Sequence, residues 1–354
     1  MRKLSKVKSH RAKLLENPPP PCTLVGLDVG YGYTKYVSPD QKRMIFPSLV
    51  APADVHTFSL GLGDHGQTVT IDDVDYVVGE AAVSRGFRFS EEYDGWWTSV
   101  RYKALLQYLK SFIPPHSHIC SGLPLHVFTA VKAHEQVQDA IRQGLRASRV
   151  TLMPQGVGAY CAATTMDESL KMGRIGIVDL GGRTTELVTV CEGNFLPQQS
   201  NGLLLGVNTI FQKAAVQLSF ETKRAIDSYE FEWAYRHTKP IMITGEPVRQ
   251  EVLARLVQPL VAPFLQELFR DMTTLWGAGA PRLDRLIYCG GGAALLQEYL
   301  SAFRAHHTVM PDSQFANALG YLTYAQWTTP QTDVASPIPA IQNAHTIEAV
   351  QPVA

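Results

Sequence analysis

An α/β fold of two domains closing on a central cleft is what the sequence predicts, on three observations. An apolar run, Thr23 to Leu27, leads into Asp28 and a turn with two glycines, Gly30-Tyr31-Gly32, and a second strand-like run follows from Tyr33 to Val37. About 150 residues later the pattern recurs, with Ile175 to Val178, then Asp179, the turn Gly181-Gly182-Arg183-Thr184, and Glu186 to Val190. A third apolar run, Leu286 to Cys289, ends in Gly290-Gly291-Gly292 before a helix-like stretch. The first two segments read as β-hairpins with glycine tips. Glycine tolerates positive φ and has no Cβ, so two facing tips can bring N–H groups against a polyphosphate from both sides. The third loop can lie flat against a planar ring or receive a phosphate at a helix N-terminus. Together they imply a nucleotide held between two halves.

The elements follow in α/β alternation. Strands are expected at Leu24–Val29, Thr34–Ser38 and Lys42–Pro47, and a small hairpin at Val69–Ile71 and Val74–Val78 around Asp72-Asp73. Helical spacing of Leu105, Leu106 and Leu109 predicts a helix over Trp97–Ser111, and a second is expected over Thr129–Arg142. A strand at Ser117–Ser121 runs into Gly122-Leu123-Pro124, and the small residues of Gly156–Met166 form a helix after Pro154. From Gly173 the plan repeats, with an inserted helical section over Gly206–Arg236 and another helix over Glu246–Leu275. Residues 1–21 carry six basic residues and then Pro18 to Pro21, and read as a solvated tail. The Pro-, Thr- and Gln-rich end from Thr328 shows no sustained period and reads as disordered.

Composition limits the function. Lys and Arg number 32, as do Asp and Glu, so overall charge predicts no nucleic-acid binding, and direct DNA contact is expected at most through the basic tail. Five scattered cysteines, mostly in apolar runs, read as reduced core residues of an intracellular protein. No apolar run reaches the roughly 18 residues of a membrane span, and no signal peptide is apparent, so a cytoplasmic protein without membrane contact is expected. The histidines form no metal-ligand pattern and read as surface residues. Trp96-Trp97, beside Glu91, Glu92 and Asp94, reads either as core or as an exposed subunit contact.

Asp28 and Asp179 each end a strand at a presumed phosphate loop. A carboxylate there can hold the waters of a Mg²⁺ ion bound to substrate phosphates, or it can simply cap its own turn. Lys35, seven residues after Asp28, can neutralise phosphate oxygens or point to water.

These segments resemble the signature segments of the actin-like ATPase superfamily, which also contains heat-shock chaperone ATPases and sugar kinases. The two phosphate loops correspond to Asp28–Lys35 and Asp179–Thr185, and the adenosine loop to Gly290–Gly292. The two inter-domain connectors correspond to Leu152–Ala159 and Phe315–Tyr321. Phe46-Pro47-Ser48, Ser121-Gly122-Leu123-Pro124-Leu125 and the connector motifs are similar to those of the plasmid-partitioning ParM/StbA-type actins and the related archaeal actin-like ATPase.

The resemblance implies an actin-like (ribonuclease H-like) two-domain ATPase fold. Domain I covers 22–165, with a small insert at about 47–95, and domain II covers 166–314, with a helical insert at about 206–275. A connector helix, 315–327, returns to domain I, and 328–354 is a tail. It implies ATP or GTP with Mg²⁺, held through water by Asp28 and Asp179, and a nucleotide site built from Gly30, Tyr31, Gly32, Tyr33, Lys35, Gly181, Gly182, Arg183, Thr184 and Gly290 to Gly292. Gln155 would orient the attacking water; it is a poor base, ParM-type relatives often carry glutamate there, and slow hydrolysis follows. Catalysis would rest on Gln155, Asp179 and Lys35. The implied function is a nucleotide-dependent filament of the chain itself that moves plasmid DNA through a DNA-binding adaptor. A metabolic kinase of the same fold and a non-polymerising nucleotide-switched scaffold are the alternatives.

Overall fold

The structure, a computed structural model, describes residues 22–53, 67–83 and 95–330. The expected basic tail, about half of the small insert, the acidic residues before Trp96 and residues 331–354 of the expected C-terminal tail lie outside the described residues.

Two sheets repeat one plan. In the first, β1 (Leu24–Val29), β2 (Tyr33–Val37) and β3 (Arg43–Pro47) form an antiparallel meander, and β4 (Val50–Pro52), β5 (Thr68–Ile71) and β6 (Val74–Val78) form a small separate sheet beside it. After α1 (Val100–Leu109), β7 (His118–Leu123) joins β1 in parallel. The short α2 (Leu125–Phe128) and α3 (Val131–Leu145) lead to β8 (Arg149–Pro154), giving the order β3-β2-β1-β7-β8. α3 buries Val137, Ile141 and Leu145, a stripe at i, i+4 and i+8.

α4 (Val157–Met166) then crosses to the second sheet. There β9 (Arg174–Leu180) and β10 (Thr185–Cys191) form the hairpin, with β11 (Asn194–Phe195) and β12 (Asn201–Leu203) pairing β10. An inserted helical section follows as α5 (Asn208–Thr222) and α6 (Ser228–Arg236), then the hairpin β13 (Ile241–Ile243) and β14 (Glu246–Val248), then α7 (Gln250–Trp276). β15 (Arg285–Cys289), α8 (Gly291–Leu296) and β16 (Thr308–Val309) complete the sheet, and α9 (Ala316–Thr328) ends the fold. The sheet order β11-β10-β9-β15-β16 repeats that of the first sheet, hairpin and then parallel strands.

α4 packs on β9 and β10 of the second sheet, while α9 packs on β1, β7 and β2 of the first, so each helix lies against the half it does not follow. The two cross between the sheets. Small residues let them approach: a methyl group built on Gly320 would lie 1.6 Å from the Gly158 carbonyl oxygen, and one on Gly26 would lie 2.0 Å from that of Ala318. Tyr321 and the alanines of α4 fill the layer between the sheets.

Four expectations are corrected. The helix expected from Glu246 starts at Gln250, because Thr244 and Gly245 both have positive φ and make the tight turn of the β13–β14 hairpin, which takes Glu246–Val248 into a strand. α7 is also long and apolar enough, at mean hydropathy 1.3, to cross a membrane, where the sequence reading expects no such run. One stripe of it, including Leu253, Val257, Phe264, Leu268 and Met272, is buried in the core of the second half. The C-terminal tail starts later than Thr328, for that residue ends α9 and Thr329 is buried.

The last correction is His118, which is 1% exposed and not a surface residue. Its Nδ1 lies 3.0 Å from Thr329 Oγ1 and its Nε2 2.9 Å from Thr151 Oγ1, so the ring ties β7 to β8 and to the end of α9. Burial, with the Arg149 charge adding, holds its pKa down at about 4. The unfolded chain takes up this proton near the ordinary value of 6.5 and the folded chain only near 4, so stability falls as pH falls through that window. His118→Gln is expected to flatten the fall, read as urea midpoints at about pH 7 and about pH 4.5. An equal acid shift in both proteins would remove His118 as its source.

Candidate functional site

The two hairpins face each other across a cavity of about 510 Å³. In the first, Asp28 stands opposite Lys35 in register; in the second, Asp179 stands opposite Glu186. The tips match in detail. A Cβ on Gly30 would meet Tyr33 O at 2.8 Å and one on Gly181 would meet Thr184 O at 2.7 Å, so each turn itself demands glycine there. A Cβ on Gly32 or Gly182 would meet nothing within 4 Å, so these two leave open space for a ligand.

Both tips are braced from behind. Ser48 Oγ donates to Gly30 O at 2.6 Å and Ser48 N to Gly32 O at 2.8 Å. At the second tip Val207 N donates to Gly181 O at 3.1 Å and Asn208 N to Gly182 O at 2.8 Å. The tip carbonyls are thus taken up by the protein, which suits the turns to presenting N–H groups to an anion.

The carboxylates sit at the base of the cavity and are buried, 5% exposed at Asp28 and 7% at Asp179. Lys35 Nζ contacts Asp28 Oδ2 at 2.9 Å. Asp179 Oδ2 accepts from Asn317 Nδ2 at 2.6 Å, and burial pushes the carboxyl up to about 6, with the Asn317 bond opposing and the neighbouring Asp28 charge adding. A cation beside Asp179 would offset both its burial and the Asp28 charge next to it. Asp28 and Asp179 both line the cavity, and Mg²⁺ is an ion that takes one or two carboxylates and fills its shell with water and phosphate.

Gln155, Tyr31, Tyr33, Lys35, Arg183, Thr184, Gly290 and Gly291 line the same cavity. Gln155 is placed by its N–H to Leu123 O at 2.8 Å and by the positive φ of Gly156 after it. Gly292 is the exception among the expected site residues. It is buried behind the loop, where a Cβ would meet Val207 Cγ1 at 2.6 Å and Leu180 Cβ at 2.9 Å, so it serves packing and not the cavity. Trp96 and Trp97 are half-buried and pack against the core of the first half. They line the cavity, Trp96 edge-on to Tyr102 at 5.4 Å and Trp97 donating to Gln136 Oε1 at 3.1 Å.

Three site groups escape the sequence reading. Asn317 is the first. Its Oδ1 accepts from Gly156 N at 3.0 Å and Ala159 N at 3.2 Å, while its Nδ2 holds Asp179, so one amide joins both connector segments to a cavity carboxylate. Glu186 is the second. Its Oε2 accepts from Leu125 N at 3.1 Å, across from the first half, and burial pushes the carboxyl up to about 7, against the Leu125 bond and with Asp179 adding. A carboxyl so placed can take up a proton near neutral pH. Its signal was visible: Glu186 follows Asp179 by the interval at which Lys35 follows Asp28. The third is the α6 pair Glu232 and Arg236, joined at 2.8 Å, from which Arg236 Nη1 donates to Gly291 O at 3.2 Å. The pair therefore stands beside the third glycine loop.

Two family models divide most of the chain between them. Residues 26–158 match the actin-like proteins N-terminal domain, and residues 177–302 match the archaeal actin homologue MreB-like C-terminal domain. This chain belongs to the actin-like superfamily. An archaeal actin homolog of Thermoplasma volcanium is 28% identical to the actin-like protein over 337 residues, 86% of this chain and 98% of the relative. A 15-stranded ParM filament from Clostridium botulinum has the same fold, with TM-score 0.71 and 21% identity over 87% of this chain and 99% of that one. So does an archaeal actin homolog in complex with ADP, with TM-score 0.63 and 24% identity over 86% of this chain and all of the other, 100%.

Proposed function

We propose that this actin-like protein binds ATP or GTP with Mg²⁺, assembles into filaments of its own subunits, and disassembles after slow hydrolysis, moving plasmid DNA through a DNA-binding adaptor. One observation carries the nucleotide reading: two matched glycine hairpins, each with an aspartate at its base, face one another across a single cavity. The filament reading is supported by relatives of the same fold that are themselves filaments.

In this reading the triphosphate lies between the tips and the nucleoside extends toward Gly290-Gly291, with Glu232 and Arg236 beside it. Asp28 and Asp179 would hold Mg²⁺ through its waters, and the ion would neutralise charge on the phosphate oxygens. Gln155 orients the attacking water by accepting from it and donating to a phosphate oxygen. Lys35 carries positive charge at the base of the first hairpin. A γ-phosphate touching both tips favours the closed cleft, and its loss removes that link between the halves. The domain limits proposed are those expected from the sequence, with the C-terminal tail shifted beyond Pro330, and the site of action is the cytoplasm.

Sedimentation with ATP, GTP and ADP, followed by negative-stain imaging of the pellets, tests the proposal. Nucleotide-dependent pelleting of filaments is expected; a kinase or a non-polymerising scaffold would stay in the supernatant with every nucleotide. Gln155→Ala is expected to slow turnover and leave nucleotide binding, so filaments should outlast those of the wild type. Disassembly at the normal rate would remove Gln155 from the mechanism.

A further inference from the structure

The carbonyls of Gly30, Tyr31 and Gly32 at the first tip all accept hydrogen bonds, two from Ser48 and that of Tyr31 from Arg101 of α1, whose Nη2 donates to it at 2.7 Å. Arg101 also donates to Ser48 O and is 6% exposed. Its guanidinium faces the rings of Tyr31 at 4.6 Å and Trp96 at 5.0 Å, both of the first half. A third ring comes from the other half. Tyr229, in the first turn of α6, has its ring centre 5.8 Å from the Arg101 guanidinium carbon, and its hydroxyl oxygen accepts from Nη2 at 3.4 Å. Across the same gap the Arg183 guanidinium of the second hairpin stands 4.4 Å from the Tyr31 ring.

From Tyr229 onward α6 spans the cleft. Tyr229, Glu232 and Arg236 follow at i, i+3 and i+7 and so share one face of the helix. At the far end of that face Arg236 Nη1 donates to Gly291 O at 3.2 Å, and Gly291 lines the cavity. Tyr33 of the first hairpin lines it too; burial, followed by the Glu232 charge, pushes its hydroxyl well up, which sets that ring beside the middle of the same face. One helix face thus rests on the first tip at one end and on the third glycine loop at the other, across the space assigned above to the nucleoside. We propose that the Arg101–Tyr229 contact is a latch holding α6 over a bound nucleotide, so that release of the nucleotide requires this contact to open. The inference rests on the nucleotide-binding reading above. A guanidinium on a ring face with one long hydrogen bond is strong enough to slow release and weak enough to open at each exchange, unlike the buried bonds that Arg101 makes to the tip. Arg101 and Tyr229 act by position: neither lines the cavity, so the chemistry at the γ-phosphate is left to the hairpins.

The test uses the full chain and follows the release of radiolabelled ADP and GDP, chased by excess unlabelled nucleotide, from the wild type, Tyr229→Phe and Tyr229→Leu. Tyr229→Leu loses the ring and the hydroxyl and is expected to speed release by at least about fivefold, within the range of one desolvated cation–π contact and a weak hydrogen bond. Tyr229→Phe keeps the ring and should fall between. Single-turnover hydrolysis of bound ATP or GTP should stay within about twofold of the wild type, since a latch acts on retention and not on chemistry. Arg101→Met tests the pairing: in that background Tyr229→Leu should speed release no further, because the two residues act as one unit. Should Arg101→Met fail to fold, the two Tyr229 variants still decide. Release from Tyr229→Leu at the wild-type rate overturns the proposal, whether or not the melting temperature falls, and so does an undiminished effect of Tyr229→Leu on top of Arg101→Met. Wild-type protein that binds neither ADP nor GDP overturns the nucleotide-binding reading and this proposal with it.

Discussion

Removing either carboxylate at the base of the cavity is expected to abolish nucleotide hydrolysis. Alanine at Asp179 would also strand the Asn317 amide, which donates to that carboxylate at 2.6 Å inside the fold, and an orphaned buried donor costs about 1–3 kcal/mol. Asn is therefore the cleaner probe. Asp179→Asn keeps an oxygen for Asn317 and a similar volume, but loses the charge that would hold Mg²⁺. Asp28→Asn does the same on the other hairpin, where Lys35 loses its ion pair. Each is expected to lower kcat by at least about 100-fold, in the range for deleting one electrostatic stabiliser of a transition state. Melting temperature should stay within a few degrees of the wild type in circular dichroism. If either Asn variant hydrolyses ATP at the wild-type rate, the paired-carboxylate model is wrong.

The second large effect is expected at the helix crossing. A Cβ on Gly158 would lie 2.4 Å from Tyr321 Cε1, and one on Gly320 would overlap the Gly158 carbonyl, so neither position admits a side chain without moving a helix. Gly158→Leu, and Ala318→Trp on the opposite helix, should each overpack the layer between the sheets and destabilise by about 1–3 kcal/mol. The consequence for assembly is specific. If the halves close on the triphosphate by adjusting this crossing, these variants should still bind ADP yet need much more protein to polymerise. The critical concentration with a non-hydrolysable ATP analogue reads the effect directly. An unchanged value, with the melting temperature lowered, would show that the crossing stabilises the fold and is not the hinge.

Local pattern carried most of the fold and the frame of the site. The hairpins were legible because strand, aspartate, glycine turn and strand follow one another along one short stretch of chain, and β1 and β6 fall where apolar runs and turn residues put them. Misreadings arose where local signals competed. Glu246-Pro247-Val248 reads as the start of a helix until the positive-φ pair Thr244-Gly245 is taken as a hairpin turn. His118 looks like any polar residue at a strand start, and only the folded chain brings it against Thr329, 211 residues away.

By itself, then, the sequence determined the two-sheet α/β plan, the paired aspartates and the glycine tips, because each depends on neighbours along the chain. Tertiary structure alone decided which groups complete the site. Asn317 meets Asp179 across 138 residues, so its role has no local signature, while Glu186, set opposite Asp179 by its own hairpin, owes its Leu125 contact to the other half. The same holds for Gly292, whose place behind the loop is set by Val207 and Leu180, and for Arg183, whose ring partner sits on the other hairpin. Hydrogen bonding and burial act over a few ångströms in space. Sequence spacing records them only where the chain itself supplies the neighbour.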